Sequence, residues 1–337
     1  MKIVYSLLLL TIIISCSKPE ITQYSGETIG TTYSIKIVNG PQLDKRVALE
    51  IEIRNLFSEL SMQMSTYIDS SEISRFNKAT AAEPITATAP FLEVLNLAQQ
   101  ISVESGGAFD ATVEPAVDLW GFGKLGRRTS PPSHEEVHNI KNYVGYQNIS
   151  VSGSTVSKKN DKTELDFSAI AKGYYVDAAG NLLAEKGYNN YLVEIGGEVV
   201  VKGKNVNDNP WRIGVDRPLI EPTVDRGFEA VLELTDLAVA TSGDYRNYFI
   251  SDDSVFSHTI DPVTCRPIIN GVASVTVIAP TCVLADAMAT AIMVMGEKKG
   301  LEWVESKPGI ETMIIVHSGS GFRVTSSSGF DQYIIKE

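Results

Sequence analysis

The run KGYYVDAAGNLLAEKGYNNYLVEIGGEVVVKG, residues 172–203, changes character halfway along. Its first half predicts a helix over Lys172 to Lys186, ended by Gly187 at the position where a left-handed residue stops a helix. From Asn190 the chain is rich in valine and isoleucine, which predicts strands over Asn190 to Ile195 and Val199 to Gly203. Working outward, apolar spacing predicts further helices over Leu43 to Met64, Phe91 to Glu104 and Ala285 to Met295. Strands are predicted over Thr32 to Val38, Trp211 to Val215, Glu229 to Leu234, Val239 to Thr241, Ser274 to Ile278, Glu311 to His317 and Gly321 to Thr325. Helices and strands are mixed without regular βαβ alternation, so the class is α+β.

The 337 residues are 43% hydrophobic and 21% charged, a globular composition with a sizeable core. A net charge of −12, with no Lys/Arg run longer than a pair, argues against a nucleic-acid partner. Lys2 and the apolar run from Ile3 to Ile14 have the form of a secretory signal rather than a membrane span. Ile13-Ile14-Ser15-Cys16 resembles a bacterial lipobox, the alternative being an ordinary signal peptide with a chance cysteine. The expectation is a signal peptide over 1–15, a lipidated Cys16 with a short tether over 16–26, and one domain over 27–337. Such a chain would face the periplasm from a bacterial membrane, and Ser17 offers no obvious inner-membrane retention signal. Cys265 and Cys282 make no disulfide framework and are expected to be free, buried thiols.

Two motifs point elsewhere. His134-Glu135-Glu136-Val137-His138 matches the zinc-protease helix HExxH, but Ser133 and Glu136 also form the capping box S-x-x-E of a short exposed helix. No third ligand lies nearby. Gly121 to Gly126 fits GxGxxG, yet neither the strand before nor the helix after that a dinucleotide site requires is present.

Four other stretches carry more information together. They are SGGAFDATVEP (105–115), DFSAIAKGY (166–174), FSHTIDPVTCRP (256–267) and ADAMAT (285–290). Gly106-Gly107 permits close backbone approach, Phe109 offers a flat face and Asp110 an acceptor. Asp286 and Thr290 are four apart on a helix and share a face, where a carboxylate and a hydroxyl make hard oxygen ligands; the same letters also suit a charge near a helix N-terminus. Asp166 precedes a helix start whose N–H groups, with Lys172, favour an anion, or else simply cap that helix.

These stretches, with Ser65-Thr66-Tyr67, Ser71 to Asn77, Glu194 to Glu198 and Ala240 to Tyr245, resemble the ApbE family of flavin transferases, in order, from Ile29-Gly30-Thr31 to about Gly300. The resemblance implies a single T-fold-like domain that moves FMN from FAD to a threonine or serine hydroxyl of a protein and releases AMP. It implies a FAD site lined by Ile29, where the family usually has Met, and by Tyr67, Ala108, Phe109, Asp110, Asp166, Lys172 and Ile260. Magnesium is implied at Asp286, Thr290 and the carbonyl of Ala169. His258 is the residue type suited to take a hydroxyl proton at neutral pH, with Asp261 either orienting it or capping the next turn, and Asp244 a further candidate. The implied targets are extracytoplasmic flavoprotein subunits of membrane redox complexes. Two alternatives are a hydrolase that yields FMN and AMP and a lipoprotein that only carries FAD. The family usually has glycine where this chain has Cys265, so the thiol is expected to be a substitute under backbone strain, not a nucleophile.

Overall fold

The computed structural model describes residues 19–335 apart from 125, 127, 129, 219–226, 244–247, 252–253 and 320. The signal peptide, Cys16, the first residues of the tether and Asp244 lie outside the described residues. An eight-stranded sheet organises the chain in the order Ile21–Thr28, Thr31–Val38, Tyr191–Ile195, Glu198–Lys202, Ala238–Gly243, Val272–Ala279, Glu311–Ser318 and Gly321–Ser326. Every neighbouring pair is antiparallel.

Period-2 alternation sends side chains to two different cores. Tyr33, Ile35 and Ile37, then Val193, Ile195, Ala240, Val275, Val277 and Ile314, face the larger core under the helices. Leu192, Val199, Val201, Val239, Met313 and Ile315 face a smaller one on the far side. Burial on both faces explains why the Val272–Ala279 strand reads VASVTVIA with no exposed position. Helices Leu43–Met64, Ala89–Glu104, Ala171–Glu185 and Cys282–Met295 cover the first face. The hairpin Trp211–Asp216 with Phe228–Leu234, and the turn Phe330–Tyr333, cover the second.

The expected tether ends earlier than residue 26. Ile21–Thr28 is an edge strand in register with Thr31–Val38, and inward Thr22 and Tyr24 alternate with exposed neighbours. A polar edge strand needs few apolar letters, which is why ITQYSGET reads as a linker by composition. The helix with Asp286 begins at Cys282, so Asp286 sits beyond the first turn and is no N-terminal charge. Gly173 makes this helix pair possible. A Cβ there would lie 2.4 Å from the Cys282 carbonyl oxygen, so the Ala171–Glu185 helix approaches the start of its neighbour at backbone distance. Asp177 on the same helix accepts from the N–H groups of Cys282 and Val283 at 2.9 and 2.8 Å, capping the second helix from the first.

Candidate active site

A cavity of about 780 Å³ opens where the ends of the sheet strands meet the two helices. It is lined by Tyr67, Ala108, Phe109, Asp110, Asp166, Ala169, Lys172, His258, Ile260, Asp286 and Thr290, residues from five separate stretches of chain. Ile29 is not among the lining residues. It sits with φ 41° beside Gly30 (φ 75°) in the turn between the first two strands, and its side chain packs against the large core.

Several local roles differ from the sequence reading. Gly106 and Gly107 have φ 64° and 86°, and a Cβ on either would meet nothing closer than Val263 at 3.6 Å. Both belong to the turn that ends the Ala89–Glu104 helix, where these φ values favour glycine. That turn delivers Phe109, a residue only 3% exposed and so as much core as cavity wall. Asp110 accepts from the Thr112 N–H at 2.8 Å, the Thr112 hydroxyl at 2.7 Å and the Tyr146 N–H at 2.6 Å, so its carboxylate holds the loop together. Burial still leaves it above the usual carboxylate range. Three N–H groups at the start of the Ala171–Glu185 helix already have partners within the protein. The Ser168 N–H donates to Asp166 at 2.7 Å, the Ala171 N–H to the Phe167 carbonyl, and the Gly173 N–H to Asp286 Oδ2 at 2.9 Å. Asp261 takes the second of its two suggested roles: it accepts from the Val263 N–H at 2.9 Å and the Thr264 hydroxyl at 2.8 Å, capping its own turn.

Asp286 is 3% exposed, with one oxygen held by Gly173, and the Thr290 hydroxyl lies 3.3 Å from that of Ser242. Beside them Lys172 forms an ion pair with Glu198, a residue that sequence reasoning did not single out for the site. Glu198 is 2% exposed, and its second oxygen has no hydrogen-bond partner. Burial lifts its carboxyl to about 7 despite Lys172. Burial also works against the charge on Lys172, but Asp286 and Glu198 hold its pKa above the ordinary value. An acidic residue opening the valine-rich strand Glu198–Lys202 was the available signal, since an unpaired charge does not enter such a strand cheaply. Lys172→Ala is expected to cost about 1–3 kcal/mol, because Glu198 loses its partner and must take up a proton or stay charged in a buried place. The double change Lys172→Met with Glu198→Gln should recover most of that loss in urea unfolding.

The decoy motifs resolve locally. The Ser133 hydroxyl accepts from the Glu136 N–H at 3.2 Å and Glu136 accepts from the Ser133 N–H at 2.7 Å, a complete capping box. Glu136, which is not the glutamate of the HExxH pattern, also pairs with Arg128, and His134, one of its two histidines, bonds Arg266 at 2.9 Å. Cys265 is fully buried with φ 54°, in the left-handed region that favours glycine. Its thiol is pushed up to about 11 by burial, which leaves no thiolate for attack. Cys282 is likewise buried and free.

The sequence model of the ApbE family matches residues 29–314. The chain belongs to the ApbE family. It is 42% identical over 332 residues to a FAD:protein FMN transferase of Vibrio cholerae serotype O1, covering 98% of this chain and 97% of the relative. A FAD:protein FMN transferase of Haemophilus influenzae is 38% identical, covering 94% and 92% of the two chains. Among solved structures, the flavin transferase ApbE from Vibrio cholerae superposes with a TM-score of 0.85 at 40% identity, covering 94% of this chain and 99% of that one. The apo flavinyl transferase ApbE of Pseudomonas stutzeri gives 0.85 at 36% identity, covering 95% and 98%.

This ApbE-family cavity also has an acidic flank. The carboxylates of Glu114, Asp118 and Glu164 come within 4.8 Å of one another, and the Lys124 ammonium lies 3.7 Å from Glu114 and 3.6 Å from Glu164. Glu114 is 2% exposed and is pushed up to about 9, first by burial and then by the charges of Asp166 and Asp118. Its folded pKa lies above the unfolded value of 4.5, so the stability linked to it is fully present below that pH and is lost as pH rises toward 9. Glu114→Gln removes the loss. The variant should match the parent near pH 4 and exceed it increasingly from pH 5 to 9, by on the order of 2 kcal/mol at pH 8 in urea unfolding. An equal difference at all pH values would contradict the assignment.

Proposed function

We propose that this chain transfers FMN from FAD to a threonine or serine hydroxyl of a target protein. One observation carries the reading: a single cavity joins an aromatic loop, a paired lysine, an imidazole and the Asp286/Thr290 oxygens. In the transfer, the acceptor oxygen bonds to the FMN-side phosphorus, the pyrophosphate bond breaks, and AMP leaves. The hydroxyl proton passes to His258, whose ring lies edge-on to Phe122 with centroids 6.3 Å apart. Lys172 meets the phosphate charge, and Phe109 and Ile260 wall the site apolarly. The donor set of Asp286, Thr290 and the Ala169 carbonyl fits a small hard dication, because a buried carboxylate and a hydroxyl supply oxygen ligands on one helix face. Magnesium held there would neutralise charge on the phosphates.

The reading extends to place and partner. Lipidation at Cys16 would hold the domain at a bacterial membrane, facing the periplasm, where extracytoplasmic flavoprotein subunits of membrane redox complexes would be its targets. The apolar run ending in Ser15-Cys16 supports this. No helix among the described residues is long and apolar enough to cross a membrane.

The test is to incubate the chain with FAD, Mg²⁺ and candidate subunits, and to read flavin fluorescence in a denaturing gel alongside free FMN and AMP. A fluorescent subunit band with one AMP released for each flavin attached is expected. Free FMN without a band would indicate hydrolysis, and intact FAD would indicate a carrier.

A further inference from the structure

The hairpin on the far face of the sheet treats its two outer edges differently. The Phe228–Leu234 edge is covered: Leu232 bridges Ile334, and the Ile335 N–H donates to the Val231 carbonyl at 2.9 Å. The outer edge of Arg212 to Val215 has no strand beside it among the described residues. Native proteins usually cover or blunt such edges, because the unpaired N–H and C=O groups invite another chain.

This edge faces the active-site cavity. Five consecutive residues, Arg212 to Asp216, border it. Side chains on a strand alternate between faces, and here Trp211 and Val215 are buried against the sheet while Arg212 and Gly214 are exposed. Five residues in a row therefore do not reach one cavity through one face. They border it because the strand presents its backbone edge, over about 16 Å. The opposite wall is the outer face of the sheet at Ser34, Lys36, Leu192 and Glu194. The groove between the two continues past Gly196-Gly197 to Lys172 and Asp286 within the same cavity.

We propose that the Trp211–Asp216 edge binds an extended segment of the acceptor protein as an added strand and so leads its hydroxyl residue toward His258 and Asp286. The proposal rests on the transfer reading above, since a protein acceptor must reach the cavity with a length of its own backbone. Strand addition suits that need. Main-chain hydrogen bonds supply affinity with little demand on sequence, and the alternating side chains of the segment meet Leu192 and Ile213 on one side and solvent on the other.

The test uses the full chain, FAD, Mg²⁺ and a short synthetic peptide spanning the residue that becomes flavinylated, with single backbone N-methyl groups placed along it in turn. N-methylation removes a donor without changing a side chain, and the enzyme's own folding is not at stake. Methylation at alternate positions on one side of the flavinylated residue should raise the peptide KM roughly 10- to 100-fold and leave the KM for FAD unchanged. Methylation at the positions between should have little effect. Amide hydrogen exchange of residues 212–216 should slow when the unmodified peptide is added. Equal tolerance of every methyl group, or unchanged exchange over 212–216 at saturating peptide, would overturn the proposal. So would failure of the peptide to accept FMN while its parent protein accepts it. If neither peptide nor parent is modified, the transfer reading falls and this inference falls with it.

Discussion

Asp286→Asn is expected to lower FMN transfer by about 10³-fold or more, on the order of 4 kcal/mol of barrier. The reason lies in the two jobs of this carboxylate. One oxygen accepts the Gly173 N–H at 2.9 Å, at the point where the two helices touch, and an asparagine oxygen can do the same. The negative charge, buried at 3% exposure beside Thr290, is what a dication and the neighbouring Lys172 require, and asparagine lacks it. The variant should therefore keep its circular dichroism spectrum and its urea midpoint within about 1 kcal/mol. Calorimetric titration of the FAD-loaded protein should show weakened Mg²⁺ binding. Asp286→Ala should lose the same activity and also some stability, because the Gly173 N–H is left without its partner. Parental turnover by the asparagine variant at limiting Mg²⁺ would remove Asp286 from the metal site.

The second large effect is expected from His258→Ala, a fall of about 10²- to 10³-fold in transfer with FAD affinity nearly unchanged. The chain has four histidines, and the structure separates them. His134, on a short helix, is bonded to Arg266, His138 lies in the last turn of that helix, and His317 meets Phe322 at a tilt, ring centroids 5.0 Å apart, on an exposed part of its strand. His258 is the one that lines the cavity. A drop in kcat at constant KM for FAD is the signature of a group that handles the acceptor proton rather than one that binds nucleotide. Rescue of the alanine variant by added imidazole would support the same role. An unchanged rate across pH 6–8 would exclude it and turn attention to Glu198, whose free oxygen shares the cavity.

What was legible in the chain follows from how far apart the deciding residues lie. Helix Leu43–Met64 and the strands of the large sheet from Tyr191 to Ser326 were readable within a residue or three at each end, because its central strands are buried on both faces and carry a strong apolar pattern, whereas the short strands Tyr248–Ser251, Ser254–Ser257, Ile260–Asp261 and Arg266–Pro267 were not read. The Ser133–Glu136 capping box was readable because its partners are three residues apart. The strain at Cys265, with φ 54°, agrees with an expectation drawn from family likeness, which periodicity does not supply. Contacts between distant positions were not legible. No local pattern announces that Asp177 caps the helix starting at Cys282, or that Glu198 faces Lys172. The short helix Glu72–Lys78 and the edge strand Ile21–Thr28 also escaped, the first because its seven residues span barely two turns and the second because its exposed half is polar.

By itself the sequence determined the α+β class, the order of the elements, the family and the residue types available for chemistry, because these depend on side-chain period and on motifs along the chain. Tertiary structure alone decided which of those residues meet. It left Ile29 out of the cavity lining, tied Asp110 to Thr112 and Tyr146 and Asp261 to its own turn, and brought Arg212 to Asp216 to the border of the cavity. The physical reason is that burial, pairing and edge exposure are properties of packed surfaces, and these surfaces form between segments as far apart as Gly173 and Asp286.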